Sequence, residues 1–270
     1  MLCRLLACTL LFFITFASAG PVPDIALQLA LTIPDSESGA NVAQWTEEMN
    51  VNPEELGNYL EGDIMVTEST TRNGAKDPKL RWPNGIIPYE IKGSFNSAQL
   101  NLIHEAMKDY QKYTCIRLKP RTNENDYVVI TSDNTGCHSY IGRIGGRQVL
   151  NLQIPGCVTK KGTAIHEIMH ATGFWHEHTR PDRDSYVTIN TKNIIPKTLG
   201  NFVKLSPDIV EDYGIPYDYG SVLHYSAYAF AIDGNVKTIV PKNSQAVIGQ
   251  REGFSKSDYQ KINKMYKCKV

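Results

Sequence analysis

The chain has 270 residues, 41% hydrophobic and 21% charged, with 28 basic residues balanced by 28 acidic ones. These proportions describe a globular protein long enough for one good-sized domain plus accessory segments. A formal net charge of zero and the lack of a polybasic tract exclude a nucleic-acid partner and an anionic-membrane partner.

Arg4 precedes an apolar run from Leu5 to Phe16, and Ala17-Ser18-Ala19 follows. A short apolar run ending in small residues is a secretory signal peptide, with cleavage expected after Ala19. The run is too short to span a bilayer comfortably, and no later stretch of about 20 apolar residues exists, so a soluble, secreted, extracellular protein is expected; a monomer is also expected. Cys3 and Cys8 leave with residues 1–19, and Cys115, Cys137, Cys157 and Cys268 remain. An even number in an oxidising compartment implies two disulfides, and spacing alone leaves all three pairings open.

Residues 20–72 are acidic and free of cysteine. The polar stretch Thr67–Arg72, followed by Asn73-Gly74, reads as an exposed segment that a trypsin-like protease nicks after Arg72. The expected organisation is therefore a signal peptide at 1–19, a pro-segment at 20–72 and a folded domain at 73–270.

From Trp82 onward the pattern is α+β. Ile86–Ile91 reads as a strand that tolerates Pro88 by lying near an edge. Asn96 or Ser97 caps a helix to about Tyr113, with apolar Leu100, Ile103, Met107 and Tyr110 on one face. Cys115–Leu118, Tyr127–Thr131 and Gln148–Gln153 read as strands, with Gly142, Gly145 and Gly146 in a loop between the last two. Thr163 opens a helix through His170 that Gly173 stops. A proline- and glycine-punctuated stretch follows, then a last helix from Ser255 or Ser257 to Tyr266.

The chemistry is carried by residues 166–176, His-Glu-Ile-Met-His-Ala-Thr-Gly-Phe-Trp-His. His166 and His170 stand four apart, so their rings leave one helix face one turn apart and can share a zinc ion. Gly173 takes a left-handed conformation that turns the chain back, and His176 reaches the same metal. Three imidazoles leave a fourth position open, which marks a catalytic Zn2+. A zinc so held acidifies its bound water. Glu167, beside the metal, is placed as the general base that takes the water's proton and passes it to the leaving amine. These roles define hydrolysis of internal peptide bonds in protein or peptide substrates. The alternative is a non-catalytic secreted zinc-binding protein, which loss of Glu167 or of a histidine would favour; all are retained.

This long motif, with its extension Glu177-His178-Thr179-Arg180-Pro181-Asp182-Arg183-Asp184, resembles that of the astacin family of metzincin endopeptidases. The likeness runs from Trp82-Pro83-Asn84-Gly85 through Thr114-Cys115-Ile116-Arg117 to Tyr266-Lys267-Cys268. It implies a two-lobed catalytic domain, with a twisted mixed sheet and the motif helix in the first lobe and an irregular second lobe. It also implies one zinc per chain and the disulfides Cys115–Cys268 and Cys137–Cys157. Tyr225 matches a tyrosine that ligates the resting metal and then supports the oxyanion. Leu223 stands where the family has a methionine beneath the site, a volume-conserving departure. Leu60-Glu61-Gly62-Asp63 is similar to the family's latency motif, in which the aspartate, here Asp63, occupies the water's place on zinc. Glu177 matches the glutamate that receives the new N-terminus after processing. Arg251 resembles an arginine that several relatives use to favour an acidic residue after the cut bond.

Overall fold

A computed structural model describes residues 33–67 and 76–269. The expected signal peptide and the Arg72 cleavage site lie outside the described residues. Six strands form the main sheet: β1 (Ile64–Met65), β2 (Ile86–Ile91), β3 (Arg117–Pro120), β4 (Tyr127–Thr131), β5 (Cys137–Tyr140) and β6 (Arg147–Leu152). Their spatial order is β1-β5-β6-β4-β2-β3, and only the β5–β6 pair is antiparallel. The fold is thus α+β, as the sequence pattern implied, with the mixed sheet that the family resemblance implied.

Two details differ from the sequence expectation. The strand expected at Cys115–Leu118 begins at Arg117, because Cys115 is bonded to Cys268 and Thr114 still caps the preceding helix through its hydroxyl, 2.6 Å from Tyr110 O. β2 is not an edge strand, yet Pro88 is accommodated. It lies opposite Lys119 in the part of β2 that pairs only with β3, since pairing with β4 starts at Tyr89.

Four helices accompany the sheet among the described residues: α1 (Ser36–Ala43), α2 (Ser97–Tyr113), α3 (Lys161–Thr172) and α4 (Lys256–Met265). Asn96 and Gln99 form a capping box at the start of α2, and Ser255 and Asp258 form one at the start of α4. Residues 162–172 of α3 are all buried, so this helix is held by packing on every side. Two further contacts fix its height: Tyr110 Oη donates to Ile165 O at 2.8 Å, and Trp82 Nε1 donates to Ala171 O at 2.7 Å.

Apolar residues gather into two main cores. One joins the sheet, α2, α3 and α4 through residues such as Ile87, Ile103, Ile130, Leu150, Ile168 and Ile262. The other, built on Val187, Phe202, Tyr217, Tyr225 and Ile239, holds the second half of the chain. Disulfides join Cys115 to Cys268 and Cys137 to Cys157. No helix among the described residues is long and apolar enough to cross a membrane.

Candidate metal centre and active site

His166 and His170 project from α3, and the chain then reverses at Gly173, whose φ of +112° lies in the left-handed region that favours glycine. Gly173 N–H donates to His170 O at 2.8 Å, closing the helix. The reversal carries His176 back to the other two rings. His170 Nε2 lies 3.0 Å from His166 Nε2, and His176 Nε2 lies 3.3 Å from it.

The opposite ring nitrogens decide what these contacts mean. His166 Nδ1 donates to Val222 O at 2.8 Å, His170 Nδ1 to Phe174 O at 2.7 Å, and His176 Nδ1 to the Glu61 carboxylate at 2.7 Å. Oxygens of this kind only accept, so each Nδ1 carries a proton, and each ring in its neutral form presents a lone pair at Nε2. Lone pairs cannot hydrogen-bond one another; they repel unless a cation sits between them. Tetrahedral zinc with bonds of 2.0–2.1 Å sets its ligand nitrogens about 3.3 Å apart, which the observed spacing approaches.

Asp63 completes the group. Its Oδ2 lies 2.8 Å from His166 Nε2 and 3.3 Å from His176 Nε2, while its buried Oδ1 has no hydrogen-bond partner. The ligand atoms of Asp63, His166, His170 and His176 all fall within 4.8 Å of one another, and all four residues are buried. Three imidazoles and one carboxylate suit zinc by donor type and number, so the residues present fit the metal.

Electrostatics agree with that fit. Burial, reinforced by the Arg251 guanidinium, holds the His166 imidazole well below its usual range and keeps it neutral, as a ligand must be. Burial opposes the charged form of His176 too, but the Asp63 and Glu61 carboxylates outweigh it and take its pKa up to about 9, so a metal binding here displaces a proton from this ring. The centre therefore attracts positive charge. Burial pushes the Glu167 carboxyl well above the usual carboxylate range, and the Asp63 and Glu54 carboxylates add to the effect. Both Glu167 oxygens are buried without a hydrogen-bond partner, so neither is committed to a structural role.

The turn Ser221–Tyr225 supports the site mainly through its backbone. Val222 O receives His166, and Leu223 O accepts the Glu177 N–H at 3.0 Å. The Leu223 side chain is buried in the main core, so a hydrophobic residue of similar volume meets the same packing need as methionine. Tyr225 stacks on His178 with ring centroids 3.8 Å apart, and its hydroxyl donates to Glu61 O. Glu177 is buried and pairs with Lys261 of α4, while also accepting from Arg180 at 3.2 Å and Asp218 N at 2.9 Å.

Arg251 is the residue whose surroundings the motif least foretold. It is 2% exposed, and its Nε donates to the carboxylate of Glu54 in the acidic N-terminal segment. Sequence reasoning also passed over Asp258 and Lys261. Asp258 accepts from Ser221 Oγ at 2.6 Å and Val222 N at 2.9 Å, tying α4 to the turn under His166. The helical spacing of Asp258, Lys261, Ile262 and Met265 puts charged residues on the buried face of α4. That conflict between charge and burial was the available signal.

Comparison with known proteins gives a consistent relationship. The family model for the astacin peptidases matches residues 74–267. The chain is 42% identical over 229 residues to the low choriolytic enzyme of Oryzias latipes, covering 81% of each protein. It is 42% identical over 193 residues to the zinc metalloproteinase nas-14 of Caenorhabditis elegans, spanning 71% of this chain but only 38% of that relative's length. Among solved structures it is similar to high choriolytic enzyme 1, a hatching enzyme zinc-protease from Oryzias latipes. That likeness has a TM-score of 0.65 and 40% identity, and covers 75% of this chain and 98% of that one. With the histidine cluster in place and the family match spanning most of its length, the chain belongs to the astacin family of zinc metalloendopeptidases.

Proposed function

We propose that this chain is a secreted zinc endopeptidase, made as a precursor and held latent by residues 20–72. The observation that carries the proposal is the convergence of three Nε2 lone pairs and the Asp63 carboxylate on one buried point. His166, His170 and His176 would hold one zinc ion, with Asp63 in the fourth position of the precursor. Zinc bound there supplies acidity to a coordinated water and polarises the scissile carbonyl.

The remaining work falls to side chains. Glu167, whose two carboxylate oxygens have no other partner, takes the proton of the attacking water and returns it to the departing amine. Tyr225, whose hydroxyl now donates to Glu61 O, is freed when that segment leaves and donates to the developing oxyanion. Its buried ring, stacked on His178, fixes where that hydroxyl can reach. Arg251 accepts an acidic side chain after the cut bond, in the place that Glu54 fills in the precursor. Cleavage after Arg72 by a trypsin-like protease releases Asp63, and the new N-terminus at Asn73 pairs with Glu177.

The test is to express the precursor, trim it with trypsin and measure casein cleavage with and without a zinc chelator, alongside Glu167→Ala. Activity is expected only after trimming, and is lost with chelator and in the variant. A folded, zinc-loaded, correctly trimmed protein that cleaves nothing would leave the non-catalytic zinc-binding reading in its place.

A further inference from the structure

The short helical turn Pro53–Leu56 delivers two neighbouring buried carboxylates, Glu54 and Glu55, into two different receptors. Glu54 meets the Arg251 guanidinium. Glu55 accepts from Asn52 of its own turn, at 3.2 Å from N and 3.0 Å from Nδ2, and across the cleft from Ser226: Ser226 N–H donates to Oε1 at 2.6 Å, and Ser226 Oγ donates to Oε2 at 2.6 Å. Both receptors lie in the region matched by the family, residues 74–267, whereas both guests belong to the preceding segment.

The receptors are built and rigid. Gly249, at φ +86°, presses so closely on Ser226 that a Cβ there would fall 2.5 Å from Ser226 Cα. Arg251 O accepts the Gly162 N–H at 2.9 Å, which fixes the arginine to the first turn of α3. Arg251 Nη1 is spent on His224 O and Gln250 O, while Nη2 is buried without a partner. Beside the pair is a cavity of about 350 Å3, lined by Trp45, Glu47 and Pro53 of the segment and by Lys160 and Lys237 of the following region.

We propose that Ser226 forms a second carboxylate subsite next to Arg251, and that the preferred substrates are acidic peptides placing two carboxylates on this side of the cut bond. The proposal rests on the peptidase reading above. An N–H and an O–H on one residue match the two oxygens of a carboxylate, as the grip on Glu55 demonstrates. Departure of the segment takes the counter-charge from the guanidinium and the acceptor from the Ser226 N–H, and leaves both facing solvent in the cleft. A substrate with two acidic side chains restores both partners; a neutral one restores neither. Lys237 beside the cavity favours the same sign of charge, while Lys160 is already paired with Glu252 at 3.3 Å.

The test uses trimmed protein and a peptide set that differs only in Glu or Gln at each of the first three positions after the cut bond. Two positions should prefer Glu, each by roughly 5- to 20-fold in kcat/KM. Ser226→Ala, which keeps the N–H, should shrink one preference to about 3-fold or less and leave the Arg251-dependent one intact. Ser226→Asp should invert it by repulsion. Melting temperatures of both variants serve as the folding control. A single preference in the parent protein, or two preferences unmoved by either substitution, would overturn the proposal. If no peptide is cut, the peptidase reading fails on its own. The subsite is then read from the anisotropy of a labelled peptide of residues 47–63 bound to trimmed protein, which both substitutions should weaken about 5-fold or more. Unchanged affinity would overturn it there.

Discussion

Glu54→Gln isolates what holds the acidic segment over the site. The side chains of Glu54 and Arg251 are 0% and 1% exposed, so the pair is shielded from solvent screening. Removing one partner of such a pair costs about 3–5 kcal/mol, because the other charge is left buried. Glutamine keeps the shape and an amide oxygen that still accepts from Arg251 Nε, which puts the expected loss nearer about 2–3 kcal/mol. In the proposed precursor the loss acts on the closed form, since the opened form would expose Arg251 to water. At about 1.4 kcal/mol per factor of ten, the open population should rise roughly 30- to 150-fold. The assay is hydrolysis of an internally quenched peptide without acidic residues, by precursor whose Arg72→Ala change prevents trimming. Glu54→Gln should raise this basal rate by the same factor and speed proteolytic nicking of the segment. A rate within about threefold of the parent, with unchanged nicking, would refute the reasoning that this ion pair is a principal latch.

Further expectations concern the scaffold. Gly173→Ala forces a Cβ into a left-handed backbone position, costing about 1–2 kcal/mol; melting should drop by a few degrees and zinc affinity, measured by competition with a chromophoric chelator, should fall as His176 shifts. His138 and His224 are held neutral by burial, with pKa values lowered to about 4 in the folded chain. Unfolded imidazoles take up protons near pH 6.5, which the folded ones refuse until about pH 4. Stability should therefore be lost as pH falls through that window, by up to about 3 kcal/mol for each histidine, in denaturant titrations at stepped pH. Replacing Cys115 and Cys268 by serine opens a loop with a sequence separation of 153, against 20 for Cys137 and Cys157. The chain-entropy account puts the losses at about 5 and 3 kcal/mol, and equal losses in denaturant titrations would contradict it.

The site was legible where spacing dictates geometry. Histidines four apart must share a helix face, and a glycine three residues beyond permits the reversal that brings in His176. Strand β4 was legible because it is a run of β-branched and aromatic residues paired on both sides, and β2 because Ile86, Ile87, Tyr89 and Ile91 outweigh Pro88. Strands β1 and β5 were not. Ile64–Met65 is two residues long, and His138 and Ser139 within β5 are polar yet buried, so neither carries the apolar alternation that marks a strand. The partners of Glu54, Glu55, Asp258 and Lys261 were invisible for a different reason. Each is a charged residue satisfied by one distant in the chain, and periodicity reports only local neighbours.

Strand β1 pairs with the flank of β5 through Ile64↔Ser139 and Met65↔Tyr140, and so covers what would otherwise be a bare row of backbone donors and acceptors. Such an unpaired border invites other chains to stack against it. While β1 remains attached, the newly made protein presents no such invitation at β5. If processing removes residues 20–72, the border opens, and the only chains suited to it are extended ones. Protection from self-association during folding and storage, and readiness to receive an extended peptide afterwards, would then be two phases in the life of a single strand edge.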